Sequence, residues 1–307
     1  MGRLALVFAG QGAQRVGMGH DLYERSDAAR DIFDRAEQAW PGVLALCFDG
    51  PAEALKQTVN TQPALFVTDL ACAAAVQEAG LAAEGAAGFS LGEVAAAVFA
   101  GLLSWDEGLA LIRQRAQAMQ DCGETQPGAM VAVLGLDAQA VEVVTDGVDG
   151  AWPVNYNCPT QVVIGCRAAV VEAVTQAIRA AGGKAVRLPV SGAFHTPLMD
   201  DAAVRLSRLA AQMTFSAPHL PLYANRTGTT YGVDAAATLC EQVNHPVLWQ
   251  ASVESMIGDG FEQFIEVGPG ATLAGFIRQI SPDVLVRSVS DSASLAQAVE
   301  AINGGRS

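Results

Sequence analysis

Residues Gly88-Phe89-Ser90-Leu91-Gly92 hold a serine between two glycines, after a small apolar run and just before an alanine-rich segment. This is the sequence form of a nucleophile elbow, a tight strand-to-helix turn that lifts a serine hydroxyl out of the fold for attack on a carbonyl carbon. The following backbone N–H, from Leu91, would then point from a helix N-terminus toward the oxygen of the attacked carbonyl. The pattern also has a plain reading, in which Ser90 caps a helix and forms a Ser-x-x-Glu box with Glu93. Context has to separate the two.

A serine hydroxyl becomes a nucleophile only when a base takes its proton, and histidine is the usual base near neutral pH. The chain has four. His20 precedes Asp21 at a helix start and reads as a surface residue. His219, between Pro218 and Leu220, and His245, before Pro246, sit in extended or turn segments that suggest structural roles. His195 lies in Ala193-Phe194-His195-Thr196-Pro197, a loop leading into a Pro-started helix, and loops at such junctions are where ligand sites concentrate. No single acidic residue stands out as its orienter. A main-chain or amide carbonyl can fill that role by accepting from one ring N–H. Arg115 is the cation of interest: its helix is apolar along Leu109, Ile112, Ala116 and Met119, and Arg113, two residues away, must point elsewhere. Either Arg115 is a snorkelling surface arginine or it lines a cavity.

Composition narrows the classes. The 307 residues are 51% hydrophobic and 16% charged, enough for a large core, and the net charge of −14 argues against nucleic-acid and anionic-membrane partners. Any anionic ligand must therefore meet a local basic spot. The apolar run at residues 4–9 is too short for the core of an export signal, and the longest uncharged apolar stretch, at 94–105, falls short of a bilayer span. Cys47, Cys72, Cys122, Cys158, Cys166 and Cys240 show no metal-ligand spacing and read as buried, reduced thiols, which with the lack of an export signal predicts a cytoplasmic protein.

The elements that must position these residues read as an α/β protein. Residues 4–8 form a strand followed by the loop Ala9-Gly10-Gln11-Gly12-Ala13-Gln14 and a helix through 21–39. Thr61-Gln62-Pro63 opens a second helix running to Gly80, with Pro63 in the first helical position. The serine's helix spans about 90–100, and Ser104-Trp105-Asp106-Glu107 starts the next with a capping box. From 130 to 190 the order is strand, helix, two strands, helix, strand. That βαββαβ order is the ferredoxin-like arrangement, expected as a small domain at 125–190, bounded by the turn-rich residues 123–128 and inserted into a large domain of 1–124 and 191–307. A helix at 198–213 and strands at 220–224 and 264–267 follow.

In order and spacing, these segments resemble malonyl-CoA:acyl-carrier-protein transacylases over nearly the whole chain. The resemblance rests on Gly10-Gln11-Gly12, Thr61-Gln62-Pro63-Ala64, Gly88-Phe89-Ser90-Leu91-Gly92-Glu93, Arg115 with Met119, Asn155-Tyr156-Asn157 through Gln161, Phe194-His195-Thr196-Pro197, Gln242 before His245-Pro246, and Glu266-Val267-Gly268-Pro269-Gly270. It implies an α/β-hydrolase-like large domain carrying the ferredoxin-like insertion. It implies Ser90 as nucleophile, His195 as base oriented by the Gln242 main-chain carbonyl, and Gln11 and Leu91 N–H groups as oxyanion hole. Arg115 would grip the malonyl carboxylate, with Gln62 and Asn157 as polar lining and Phe194 as the bulk that excludes an α-methyl group. The implied partners are a coenzyme A thioester, malonyl-CoA, as substrate and an acyl carrier protein, with no bound cofactor or metal and a monomeric enzyme, most typically in fatty-acid synthesis. A polyketide or malonate decarboxylase system, a serine thioesterase and a non-catalytic docking subunit are the competing readings. Phe89 stands where the family usually has histidine, Val94 where it has tyrosine and Ala116 where it often has glycine. Because carrier proteins are acidic like this chain, Lys184 and Arg187 are the expected basic contact.

Overall fold

The computed structural model describes residues 2–190 and 192–304; Ser191, at the expected return to the large domain, and the terminal residues 1 and 305–307 lie outside them. Two sheets organise the chain. The larger contains β1 (Arg3–Phe8), β2 (Gly85–Gly88), β7 (Leu222–Tyr223), β8 (Phe261–Val267) and β9 (Leu285–Val289), all parallel, in the order β7-β2-β1-β8-β9. Its central strands are buried on both faces, which is why Leu4-Ala5-Leu6-Val7-Phe8 is a continuous apolar run rather than an alternating one. Because the strands are parallel, the loops after β1, β2, β7 and β8 gather at one edge of the sheet, where sites form in open α/β folds.

The second sheet is antiparallel: β3 (Gly128–Leu134), β4 (Ala151–Cys158), β5 (Gln161–Arg167) and β6 (Lys184–Arg187), in the order β4-β5-β3-β6. Helices Ala138–Asp146 and Val171–Ala180 cover one face, with Val131, Val133, Ile164, Val174 and Ile178 in the layer between. The alternate residues Met130, Ala132 and Val163 turn the other way, into the main core, as the period of two requires. A short parallel bridge ties this sheet to the larger body, Tyr156 N–H donating to Val247 O at 2.9 Å and Val247 N–H to Val154 O at 2.8 Å.

Several boundaries differ from the sequence reading. The segment expected as one helix at 21–39 is two, His20–Arg25 and Asp27–Ala39, because Ser26 is extended and its hydroxyl caps the second by accepting from Ala29 N–H. The helix expected to open at Thr61 already runs from Thr58 to Glu78, with Pro63 inside it. Thr61 supports that early turn by donating its hydroxyl to the Leu55 and Gln57 carbonyls. The residues taken as a turn at 123–125 finish the helix Trp105–Thr125, and a Cβ on Gly192 would come within 3.3 Å of Gly123 Cα there. Met213 lies beyond the helix Asp200–Ala210, which a 3₁₀ turn at Pro197–Met199 precedes. Among the described residues no helix is long and apolar enough to cross a membrane.

The two glycines around Ser90 are required by close packing. A Cβ on Gly88 would sit 2.0 Å from the Gly92 carbonyl group, and one on Gly92 would sit 2.3 Å from Phe8 O. Both obstacles are backbone, so neither can swing aside. Gly92→Ala is expected to cost about 3 kcal/mol by forcing β1 and the following helix apart, measured as a shift of the urea midpoint; an unshifted midpoint would show that this junction yields easily.

Candidate active site

Ser90 lies two residues beyond the end of β2 and has φ of 54°, and His195 has φ of 62°; they are the only non-glycine residues with positive φ among those described. Each such conformation costs on the order of 1–3 kcal/mol and persists only where neighbours hold it. For Ser90 the holder is Asn225, just beyond β7, whose Oδ1 accepts from Ser90 N–H at 2.7 Å while its Nδ2 donates to Gly88 O at 2.6 Å. His195 N–H donates to Val243 O at 2.9 Å.

These two strained residues face each other. Ser90 Oγ lies 2.8 Å from His195 Nε2, and His195 Nδ1 lies 2.9 Å from the main-chain oxygen of Gln242. A carbonyl can only accept, so Nδ1 carries the ring proton and Nε2 is left to accept from the serine hydroxyl. Burial, and then the nearby Arg115 charge, pull the imidazole from its ordinary 6.5 to about 4, so it is neutral at physiological pH.

The capping-box alternative does not occur. The Glu93 side chain is fully buried and accepts from Tyr231 Oη, Asn225 N–H and Gln242 Nε2, not from the Ser90 backbone. Burial lifts its carboxyl to about 7 against those bonds, which favour the ionised form. The capping box expected at Ser104 and Glu107 is present.

Arg115 is a buried cation, 2% exposed, while Arg113 on the same helix is exposed. Its guanidinium donates to Gln62 Oε1 at 2.7 Å, to Gln242 Oε1 at 2.7 Å and to Ser90 Oγ at 3.0 Å. Its Nε has no partner among the described residues. Burial lowers its pKa to about 10, which still leaves it charged at neutral pH. Every acceptor it holds is neutral, so the guanidinium stands ready for an anion beside the nucleophile.

A cleft of about 240 Å³ opens over Ser90 and is lined by Gln11, Phe89, Asn157, Phe194 and His195 among others. The main-chain N–H groups of Gln11, in the loop after β1, and of Leu91, after the serine, have no acceptor among the described residues. Asn157 Nδ2 donates to Gln161 Oε1 at 2.8 Å, and the buried Oδ1 atoms of Asn155 and Asn157, on the cleft wall formed by β4, have no partner among the described residues. The Phe89 ring packs on Trp249 and Phe276, centroids 5.6 and 6.4 Å away, so this wall is apolar where a histidine would be polar.

The remaining candidates stay apart from the cleft. His20 is exposed near Glu24, and His245 Nδ1 faces Glu241 O. His219 packs beside Gly101. Lys184 and Arg187 are exposed on β6 and are not among the residues lining the cleft. All six cysteines are buried and free. Asn225, Tyr231 and the bracing role of Glu93 were not read from the sequence. The signal available for Asn225 was its place, a polar residue at the carboxyl end of a buried parallel strand.

A serine held on a strand-to-helix elbow, with a neutral histidine at 2.8 Å, is the arrangement of enzymes that carry an acyl group on a side chain. Residues 5–296 match the family described as acyl transferase domain. The chain belongs to the malonyl CoA-acyl carrier protein transacylase family. It is 36% identical to the Bacillus subtilis (strain 168) transacylase of that name, covering 98% of both chains, and 38% identical to that of Escherichia coli K12, covering 98% of this chain and 100% of the other. The crystal structure of the Clostridium perfringens transacylase superposes with a TM-score of 0.95 at 32% identity, covering 99% of this chain and 98% of that one. A malonyl-transacylase solved in complex with a type II polyketide acyl carrier protein superposes with a TM-score of 0.92 at 34% identity, covering 97% and 99%.

Proposed function

We propose that this chain transfers malonyl from malonyl-CoA to the phosphopantetheine thiol of an acyl carrier protein, by a ping-pong route through malonyl-Ser90, in fatty-acid synthesis. The carrying observation is the line from Ser90 Oγ through His195 to the Gln242 carbonyl, with the Arg115 guanidinium 3.0 Å from the same Oγ.

Ser90 Oγ attacks the thioester carbonyl as its proton passes to His195 Nε2, and the resulting oxyanion lies against the N–H groups of Gln11 and Leu91. Collapse breaks the carbon–sulfur bond, and the imidazolium returns the proton to the departing coenzyme A sulfur. The second half-reaction reverses these steps with the carrier thiol as nucleophile. The malonyl carboxylate takes over donors that Arg115 now spends on Ser90, Gln62 and Gln242. Gln62 steadies the guanidinium, Asn157 offers polar lining, and Phe194 limits bulk at the α-carbon. No cofactor or metal enters these steps, since the side chains account for every proton moved. We further read the larger body, 1–124 and 191–307, as α/β-hydrolase-like, and 125–190 as a ferredoxin-like insertion, which the β4-β5-β3-β6 order supports. A monomer in the cytoplasm fits this role.

Intact-protein mass after brief exposure to malonyl-CoA tests the proposal. One added malonyl group is expected, stable in buffer and lost on adding carrier protein or pantetheine. A label that decays in buffer without a thiol would identify a thioesterase, and no label with any acyl-CoA would revive the docking-subunit reading.

A further inference from the structure

The holders of the two strained residues meet at one carboxylate. Glu93, in the first turn of the helix Gly92–Phe99, is 0% exposed. Its Oε1 accepts from Tyr231 Oη at 2.5 Å and from Asn225 N–H at 3.1 Å, and its Oε2 accepts from Gln242 Nε2 at 2.5 Å. Gln242 in turn reaches three parts of the site. Its Nε2 also donates to Ser90 O at 2.7 Å, its Oε1 accepts from Arg115, and its main-chain oxygen accepts from His195 Nδ1. None of the contacts of Glu93 is with Ser90 Oγ, His195 or the cleft itself.

We infer that Glu93 is a positioning residue for the transfer reaction, acting through Gln242 to hold His195, Ser90 and Arg115 in register. This rests on the reading of Ser90 and His195 as nucleophile and base. All three groups around the carboxylate present hydrogens to it, so the full set of bonds is made only with its ionised form, which those bonds favour against burial. An amide in its place would aim an N–H at the Gln242 amide or at the Asn225 N–H and push one of them away. The side chain so pushed and the carbonyl that fixes the His195 tautomer belong to one fully buried residue of the short 3₁₀ turn Gln242–Asn244, where close packing passes a side-chain displacement on to the turn. A side chain that touches no reacting atom thereby controls the approach of base to nucleophile, where an ångström of misplacement is costly.

A double-mutant cycle on the first half-reaction tests the coupling, with malonyl-CoA as the probe and rapid-quench intact mass as the readout. Glu93→Gln is expected to slow Ser90 acylation about 100-fold at saturating malonyl-CoA, with little change in the concentration giving half the maximal rate. In a Gln242→Met background the same substitution is expected to cost less than about twofold, since the intermediary is already gone. Costs that multiply in the double variant, or a Glu93→Gln enzyme acylated at the wild-type rate, would overturn the inference. Should Glu93→Gln fail to fold by circular dichroism, Tyr231→Phe, which removes one donor from the same carboxylate, takes its place in the cycle, and multiplying costs or a wild-type rate overturn the inference there too. A wild-type enzyme that takes up no malonyl would overturn the parent reading along with this one, whereas a labelled wild type with multiplying costs counts against Glu93 alone.

Discussion

Replacing Ser90 or His195 with alanine is expected to lower malonyl transfer by roughly 10⁴- to 10⁶-fold, and replacing both is expected to lower it no further. The two side chains form one proton-transfer unit at 2.8 Å, so losing either removes the unit. On the proposed mechanism, what survives is the contribution of the Gln11 and Leu91 N–H groups and of substrate binding. Steady-state transfer to carrier protein, measured for both single variants and the double, checks this; losses that multiply would mean that the two residues act independently. The pH response carries the same geometry. His195 is held near 4, below its ordinary 6.5, so its base form persists as pH falls through 6.5 and is lost only toward 4. The acylation rate should therefore show no inflection from a histidine near 6.5, and an inflection there in wild type that His195→Ala abolishes would contradict the buried, neutral imidazole.

Arg115→Ala is expected to lower kcat/KM for malonyl-CoA by about 1000-fold while leaving acetyl-CoA far less affected. In the free enzyme the guanidinium is satisfied only by neutral oxygens, and its nearest compensating charge is Glu93, beyond Gln242. A malonyl carboxylate would supply a charged acceptor to a buried guanidinium, whereas an acetyl group would supply none and leave the cation as it was. Competition between malonyl-CoA and acetyl-CoA for Ser90, read by intact mass, gives the preference directly. An unchanged preference in Arg115→Ala would remove the arginine from acyl selection.

The nucleophile elbow was legible because its constraint is local: Gly88, Ser90 and Gly92 are neighbours in sequence, and the glycines are required by backbone contacts within a few residues or to the adjacent β1. The βαββαβ order was legible for a similar reason, since Val131 and Val133 alternate with Met130 and Ala132 and each helix carries its own apolar stripe. Helix ends were less so. Pro63 looked like a start signal, but the turn before it is held by Thr61 and by contacts that no propensity encodes. The break at Ser26 did carry a signal, a serine before Asp27 that could have been read as a cap. The pairing of Gln242 with His195 had no signature in residue type, because a main-chain carbonyl belongs to every residue; only the family resemblance pointed to it. Asn225 and Tyr231 lie 132 and 138 residues from the glutamate they contact, and only the placing of β7 beside β2 brings them there.

The carbonyl that orients His195 has a consequence for the fate of the acyl group. A carboxylate in that position would stabilise an imidazolium and make a stronger base, as in hydrolases that must deprotonate water. Burial, and then the Arg115 charge, outweigh the raising effect of that carbonyl and leave an imidazole whose conjugate acid has a pKa of about 4, a feeble base. Water, with a pKa of about 15.7, is badly matched to it. A thiol, with a pKa of about 8.5, gives up its proton far more readily, and a thiolate leaves without needing a strong acid. Ser90 itself, an alcohol of much the same acidity as water, differs in accepting from Arg115 at 3.0 Å, so on the proposed route a malonyl ester on Ser90 is expected to yield to an incoming thiol far faster than to water.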